Sequence, residues 1–373
     1  MPHCNKQMIS FFLTTKCNLR CVYCYNGEER LLVKDKTLRI HIAKAAIDEY
    51  FSNNTSRHIR FYGPGEVTQE FDLMCQIVEY AKKVGGTGVT VEIQTNGVFS
   101  DNVCKWILDN INIMWVSFDG TPDIHDIQRP TAKGKPSSSI IEKNIKWLNS
   151  TPKKKTLMIG ARVTMTELNI RRQSELVNYF NNLGIKYIWT DPLFPEVKET
   201  AVCNDKTGRI VDFFDMDTYI DNYINAYKYA SDIGLFYGSF LTCNFDGKTN
   251  IHCRACTPVP HITPDGYVSA CDMVVIGENA HHMDCFIYGK WDNYSKMFIY
   301  FDNKIKALKE RTSDNISHCK TCEVKNYCGG YCLGEVVNET GKLDGQKHEV
   351  CKAIKRLFKE IGPAKHPYAY LHP

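Results

Sequence analysis

The sequence predicts an α/β protein whose parallel sheet carries helices on its outside, followed by a cysteine-rich unit. Three observations carry this prediction. Apolar, strand-like runs alternate with amphipathic segments about six times between residues 8 and 190, the pattern of βα units in a parallel sheet. Of 373 residues, 43% are hydrophobic and 24% charged, as in a soluble globular chain of one or two domains. The chain holds 17 cysteines, and their density jumps from residue 243 onward.

The elements follow in order. Met8 to Leu13 is apolar and reads as a buried opening strand. Residues 37–51 have the helical period, and His58 to Tyr62 forms the second strand. Residues 69–83 place Phe71, Met74, Cys75 and Val78 at helical spacing, which puts Cys75 on a core-facing side. Val89 to Gln94 is the third strand, and in the helix at 100–110 Cys104 falls beside Trp106 and Ile107, again in the core. Ile111 to Phe118, Met158 to Met165 and Lys186 to Thr190 are further strands, separated by helices at 137–149 and 171–183. Tyr219, Tyr223 and Tyr227 recur at i, i+4, a helix-packing pattern. No repeat or low-complexity linker interrupts the chain.

Composition excludes several functions. The formal charge, 46 basic against 42 acidic residues for a net of +4, is too small and dispersed to argue for nucleic acid. The run Lys153-Lys154-Lys155 reads as a solvated loop. No apolar stretch approaches the roughly 18 residues a membrane helix needs. The start, Met1-Pro2-His3-Cys4, lacks the charged and apolar regions of a signal peptide, so a cytoplasmic protein is expected. Disulfides do not persist in reducing cytosol, so this many thiols read as metal ligands. Exposed thiolates and clusters oxidise readily, which suggests an anoxic cell.

The opening strand runs into Cys17-Asn18-Leu19-Arg20-Cys21-Val22-Tyr23-Cys24. Three soft ligands in a short loop suit an iron–sulfur cluster, which thiolates hold. No fourth cysteine follows at close spacing, so one iron is left open, as at catalytic rather than structural metal sites. A zinc knuckle is the alternative. The C-x3-C-x2-C spacing, with Tyr23 before the third cysteine, resembles the radical S-adenosylmethionine (SAM) superfamily. That resemblance implies a cluster whose open iron chelates SAM and cleaves it to a 5′-deoxyadenosyl radical. It also implies a partial (β/α)6 TIM-like barrel, with the chemistry at the carboxyl ends of the strands. Gly234 to Thr242 then reads as a strand leading out of the barrel.

Several strand ends match the same family. Gly63-Pro64-Gly65-Glu66 stands where the family carries Gly-Gly-Glu-Pro; the alternative is a plain turn. The resemblance assigns Gly65 and Glu66 to the SAM amino group, with glycine allowing close approach and a carboxylate meeting an ammonium. Asn96, in Gln94-Thr95-Asn96-Gly97, is implied near the ribose. Ser117-Phe118-Asp119-Gly120, His125-Asp126 and Arg129 resemble the S-x-D-G…H-D…R pattern of one branch. By position Ser117 and Arg129 become ribose and carboxylate contacts, since an arginine fork fits a carboxylate. His125-Asp126 could equally cap a helix. Arg162 lies within an apolar strand, where a charge needs a partner, and faces the cofactor in this reading, as does Tyr23.

A second cysteine system follows. Pro264-Asp265-Gly266 is a turn between Ile262 and Tyr267-Val268, a hairpin flanked by Cys256 and Cys271. Then come Cys319-x2-Cys322-x5-Cys328-x3-Cys332 and Cys351. Cysteine is about one residue in 22, so three further cysteines at fixed offsets arise by chance roughly once in 10^4 starts. A zinc ribbon is the alternative. The seven-cysteine order resembles the SPASM domain, which carries two auxiliary [4Fe–4S] clusters, for three in all. That resemblance assigns Cys319, Cys322, Cys328 and Cys351 to an outer cluster. Cys256, Cys271 and Cys332 go to an inner one, with Cys253 as fourth ligand, Cys243 as its alternative, or an open iron. Cys203, Cys285 and His281-His282 read as incidental. The expected domains are 1–235, the barrel, and 236–373, the auxiliary-cluster unit.

Auxiliary clusters suit a reaction in which a substrate radical loses an electron. The resemblance implies hydrogen abstraction from a peptide or protein and a thioether, carbon–carbon or ether crosslink in a ribosomal peptide. The alternatives are a sulfatase-maturating formylglycine enzyme and a non-enzymatic iron–sulfur or zinc protein. Asp272 follows Cys271, where the sulfatase group carries its general base; the alternative is an exposed hairpin aspartate. Only 16 residues precede Cys17, so a separate peptide-recognition protein is expected, or direct docking. A flavodoxin or ferredoxin is the implied electron donor.

Overall fold

The computed structural model describes residues 7–24, 35–152, 157–193, 203–204, 209–210, 215–278 and 280–364. The basic run at 153–155, the first six residues and the Cys203 side chain lie outside them. The barrel alternates β1 (Ile9–Phe12), α1 (Ile40–Asn53), β2 (His58–Tyr62), α2 (Phe71–Gly85), β3 (Thr90–Thr95) and α3 (Asp101–Asn110). It continues through β4 (Ile113–Ser117), α4 (Pro122–Gln128), α5 (Ser138–Ser150), β5 (Met158–Met165), α6 (Gln173–Asn182) and β6 (Tyr187–Pro192). After α7 (Met216–Asp232) come β7 (Phe236–Gly238), β8 (His261–Ile262), β9 (Tyr267–Ser269), β10 (Ile287–Asp292) and β11 (Met297–Tyr300).

One eleven-stranded sheet runs β11-β10-β9-β8-β1-β2-β3-β4-β5-β6-β7. Strands β1 to β7 pair in parallel in that order, β8 pairs in parallel with β1, and β8 to β11 form an antiparallel meander. The sheet is open, as a partial (β/α)6 barrel requires, because β11 and β7 end it without meeting. Helices cover its outer face with apolar stripes. In α1 these are Ile42, Ala43, Ala46, Ile47, Tyr50 and Phe51, the period of a helix with one buried side. Cys104 is buried and Cys75 half-buried on such helices, and Tyr219, Tyr223 and Tyr227 stack along α7 with centroids 5.7 and 6.2 Å apart.

Two local expectations change, and one helix is added. The first helix starts at residue 40 rather than 37, because Thr37 is held in a bridge with Thr14. The segment after Ser117 folds into α4, with Pro122 in its first turn, where a ring lacking N–H costs nothing. Gly234 to Thr242 does not lead out of the barrel: only Phe236–Gly238 is strand, paired with β6. It stops there because the Phe240 N–H turns to the Asp191 carboxylate, 2.8 Å away. A division at 235/236 therefore falls just before a strand of the barrel sheet, and we propose the boundary after Gly238. Among the described residues no helix is long and apolar enough to cross a membrane.

Candidate active site

The carboxyl ends of the strands open into a cavity of about 270 Å3. Cys17, Cys21 and Cys24 line it, as do Cys253, Cys271 and Cys332. Tyr23, Gly65, Glu66, Asn96, Ser117, Arg129, Arg162 and Asp272, all singled out from the sequence, line the same space.

The backbone explains how the cysteine loop is held. Gly65 N–H donates to Thr14 O at 3.0 Å and Glu66 N–H to Lys16 O at 2.8 Å. A Cβ on Gly65 would stand 2.1 Å from Lys16 O, so this glycine permits approach to the chain leading into Cys17. Glu66 is likewise engaged by the protein. Its Oε1 accepts from Thr68 N (3.1 Å), Thr68 Oγ1 (2.8 Å) and Thr95 Oγ1 (2.7 Å), and its Oε2 from Asn96 N (2.7 Å). The carboxylate thus ties the β2 loop to the β3 loop; burial still raises its pKa.

N–H donors point at two sulfurs. Asn96 Nδ2 lies 4.0 Å from Cys17 Sγ, and Arg129 Nη1 lies 3.8 Å from Cys21 Sγ. Burial pushes the Cys21 thiol up to about 12, while Arg129 works the other way. A thiolate there needs metal to offset desolvation, and hydrogen bonds to sulfur suit cluster ligands. Among the described residues no three such side chains converge closely enough for one ion.

Asp119 is the hub beneath this triplet. Fully buried, its Oδ2 accepts from Tyr23 Oη, from Gln128 Nε2 at 2.8 Å and from Arg129 Nε at 2.8 Å, and its Oδ1 from Thr164 N at 3.0 Å. Burial opposes its charge, but Arg129, His125 and these bonds hold the carboxyl below the usual range. Arg129 is therefore committed to Asp119 as well as facing the cavity. His125 supports the hub, its Nδ1 accepting from Asp119 N at 3.1 Å. Asp126 accepts from Ser137 N and Ser138 N, both at 2.8 Å, and caps α5. His125-Asp126 is a structural pair here.

The cavity also carries charges in apolar strands. Arg162 lies between the rings of Trp115 and Trp189, 5.1 and 5.0 Å from their centroids, with Asp191 3.6 Å away. Burial raises Asp191 to about 7 despite Arg162. Asp272 is paired with Arg60, and His261 Nδ1 lies 3.4 Å from it. Burial opposes the Asp272 charge, but Arg60, His261 and Arg254 outweigh it and hold the group near about 2. Burial lowers His261 to about 3. Sequence reasoning missed Arg60, Asp191 and His261 as site residues; the available signal was a charge inside an apolar strand, as in His58-Ile59-Arg60-Phe61-Tyr62.

The later cysteines divide into two sets. Cys319, Cys322, Cys328 and Cys351 line one smaller cavity of about 130 Å3. Cys253 acts electrostatically on Cys256, Cys271 and Cys332. Cys243 sits elsewhere, packed with Trp115 and Trp189, its Sγ 3.7 Å from His252 Nε2. Cys285 lies within electrostatic reach of Cys271.

The radical SAM superfamily matches residues 11–170. Over 93% of its length the chain is 22% identical to a serine-type anaerobic sulfatase-maturating enzyme of Bacteroides thetaiotaomicron, covering 87% of that protein. Over 95% it is 22% identical to the radical SAM cyclopropyl synthase TigE of Paramaledivibacter caminithermalis, covering 73% of it. The fold matches the structure of native anSMEcpe with bound AdoMet and Cp18Cys peptide, at TM-score 0.74 and 17% identity, covering 96% of this chain and 98% of that one.

Proposed function

We propose that this radical SAM enzyme, whose radical SAM domain spans residues 11–170, binds SAM in the cavity at the carboxyl ends of β1 to β6 and abstracts hydrogen from a peptide. In this reading it installs a thioether, carbon–carbon or ether crosslink in a ribosomally made peptide. One observation carries the proposal: a single cavity is lined by the Cys17, Cys21, Cys24 triplet and by three cysteines of the inner set. A substrate in this cavity would face both the site of hydrogen abstraction and an electron acceptor. The relatives support a peptide, since one similar structure holds one beside AdoMet.

The residues present fit three clusters: Cys17, Cys21 and Cys24; Cys253, Cys256, Cys271 and Cys332; and Cys319, Cys322, Cys328 and Cys351. Bound there, clusters and SAM supply the radical and accept electrons, and the protein supplies orientation. Glu66 and Gly65 lock the triplet loop, Asn96 and Arg129 steady its sulfurs, and Ser117 lines the ribose end. Arg162, clamped between tryptophans, offers a fixed cation to a carboxylate and Asp191 a counterpart for an ammonium. Asp272 is the acceptor for the proton the substrate loses. Arg60 keeps it ionised at neutral pH and also weakens it as a base. Cys322 and Cys351 are half-buried, so a flavodoxin or ferredoxin could reach the outer set.

Formylglycine formation is the second reading, favoured by the sulfatase-maturating relatives; Asp272 would serve as the base in either reaction. The test uses anaerobically reconstituted, reduced protein with SAM, offered a peptide encoded beside its gene or a sulfatase-derived Ser or Cys peptide. Formation of 5′-deoxyadenosine with a crosslinked first peptide supports the proposal. A product reacting with a hydrazide probe marks an aldehyde and moves the conclusion to formylglycine. No 5′-deoxyadenosine under any condition sinks both.

A further inference from the structure

Cys328 and Cys332 are only four residues apart, yet they face different cavities. The turn between them is unusual. Gly329, Gly330 and Tyr331 have φ of 63°, 89° and 64°, three successive left-handed residues, one of them a tyrosine that adopts this region only at a cost. A Cβ on Gly329 would meet Ile251 backbone at 2.2 Å, and one on Gly330 would meet Arg311 Nη1 at 2.9 Å. The carbonyls of this turn converge on that arginine. Arg311 Nη1 donates to Gly329 O at 3.3 Å and Tyr331 O at 3.1 Å, Nη2 donates to Gly330 O, and Nε donates to Leu343 O at 3.2 Å.

Arg311 is 4% exposed and pairs with no carboxylate among the described residues. A buried guanidinium stays charged and must be compensated. Four carbonyl dipoles do part of this. The donors of Arg311 also span the two sets, reaching Gly329 O, next to Cys328, and Tyr331 O, next to Cys332. Its influence therefore reaches both sets.

We propose that Arg311 is a positioning residue shared by the two auxiliary cysteine sites, gripping the left-handed turn that joins Cys328 to Cys332 and holding one positive charge between them. This rests on the cluster assignment above. With clusters bound, a fixed cation favours the reduced, more negative state of each neighbour and raises its reduction potential. The same grip fixes the separation of the two sites.

The experiment uses the full chain with Cys17→Ala, Cys21→Ala and Cys24→Ala, reconstituted anaerobically, so that only auxiliary signals remain in an EPR-monitored redox titration. Arg311→Gln is expected to lower at least one midpoint by 59 mV or more, tenfold in the equilibrium for one electron; Arg311→Lys is expected to recover most of it. Midpoints unchanged in a folded Arg311→Gln protein overturn the proposal, even if its melting temperature falls. Should Arg311→Gln not fold, Gly330→Ala carries the test, because its new Cβ displaces the guanidinium. A negative shift supports the role and an unmoved midpoint refutes it. A parent protein that takes up no auxiliary iron–sulfur sinks the cluster assignment itself, whereas parent signals that Arg311→Gln leaves alone sink only the role of Arg311.

Discussion

Asp119→Asn probes the hub beneath the cysteine triplet. The carboxylate serves three donors on Oδ2 and the Thr164 N–H on Oδ1. An amide has one acceptor oxygen, so either Thr164 or the group of Tyr23, Gln128 and Arg129 meets an NH2 instead. Arg129, buried with it, also loses its counter-charge. Breaking a buried pair from one side costs about 3–5 kcal/mol, a fall in melting temperature of roughly 5–15 °C for a chain of this class. The pH dependence has a definite sign. The folded-state pKa of Asp119 is depressed, so its contribution is fully present above the unfolded value of about 3.9 and is lost as pH falls through the folded value. Chemical denaturation of metal-free wild type and variant from neutral to acidic pH measures this. The stability gap should hold steady down to about pH 5 and close below about pH 4. A gap under about 1 kcal/mol at neutral pH, or one that widens on acidification, would refute the reasoning.

Other outcomes follow from the same geometry. Gly65→Ala drives a Cβ into Lys16 O, 2.1 Å away, and should cost the triplet most of its iron and its SAM cleavage while the auxiliary signals persist; intact SAM cleavage would argue against it. Asp272→Asn should leave SAM cleavage intact but lower peptide product by about 10²-fold or more, and equal product rates would remove Asp272 as the base. Cys253→Ala should lose about four irons and Cys243→Ala none, and the reverse pattern would exchange their roles. The variant lacking Cys17, Cys21 and Cys24 should retain about eight irons, a count that complete loss would contradict.

Much of the barrel was legible because strand and helix periods are local. Ile9 to Phe12 is apolar but for Ser10 and is buried throughout, and the α1 stripe follows from i, i+4 spacing. Elements set by a distant partner were not legible: β7 is short because Asp191 takes the Phe240 N–H, and the first helix starts late because Thr37 pairs with Thr14. In the site, Gly65, Glu66, Asn96, Ser117, Arg129 and Arg162 line the cavity, whereas Asp119, His125 and Asp126 of the same motifs do not. The partners of Glu66 and Arg129 were hidden, since Thr95 and Asn96 lie on the next strand loop and Asp119 is known as a hub only when Tyr23 and Thr164 close on it.

Sequence alone pointed to metal held by thiols, because three thiols in one short loop and C-x2-C pairs are statements about neighbours along the chain. It also determined the α/β class, since periodicity is a property of each segment. Tertiary structure decided which thiols meet, bringing Cys253 into one cavity with Cys271 and Cys332 and leaving Cys243 beside His252. It decided that Asp272 is held by Arg60, 212 residues away in the chain, and that a buried Arg311 stands between two cysteine sites. Burial and charge act through space, and only the folded sheet brings those groups within range of one another.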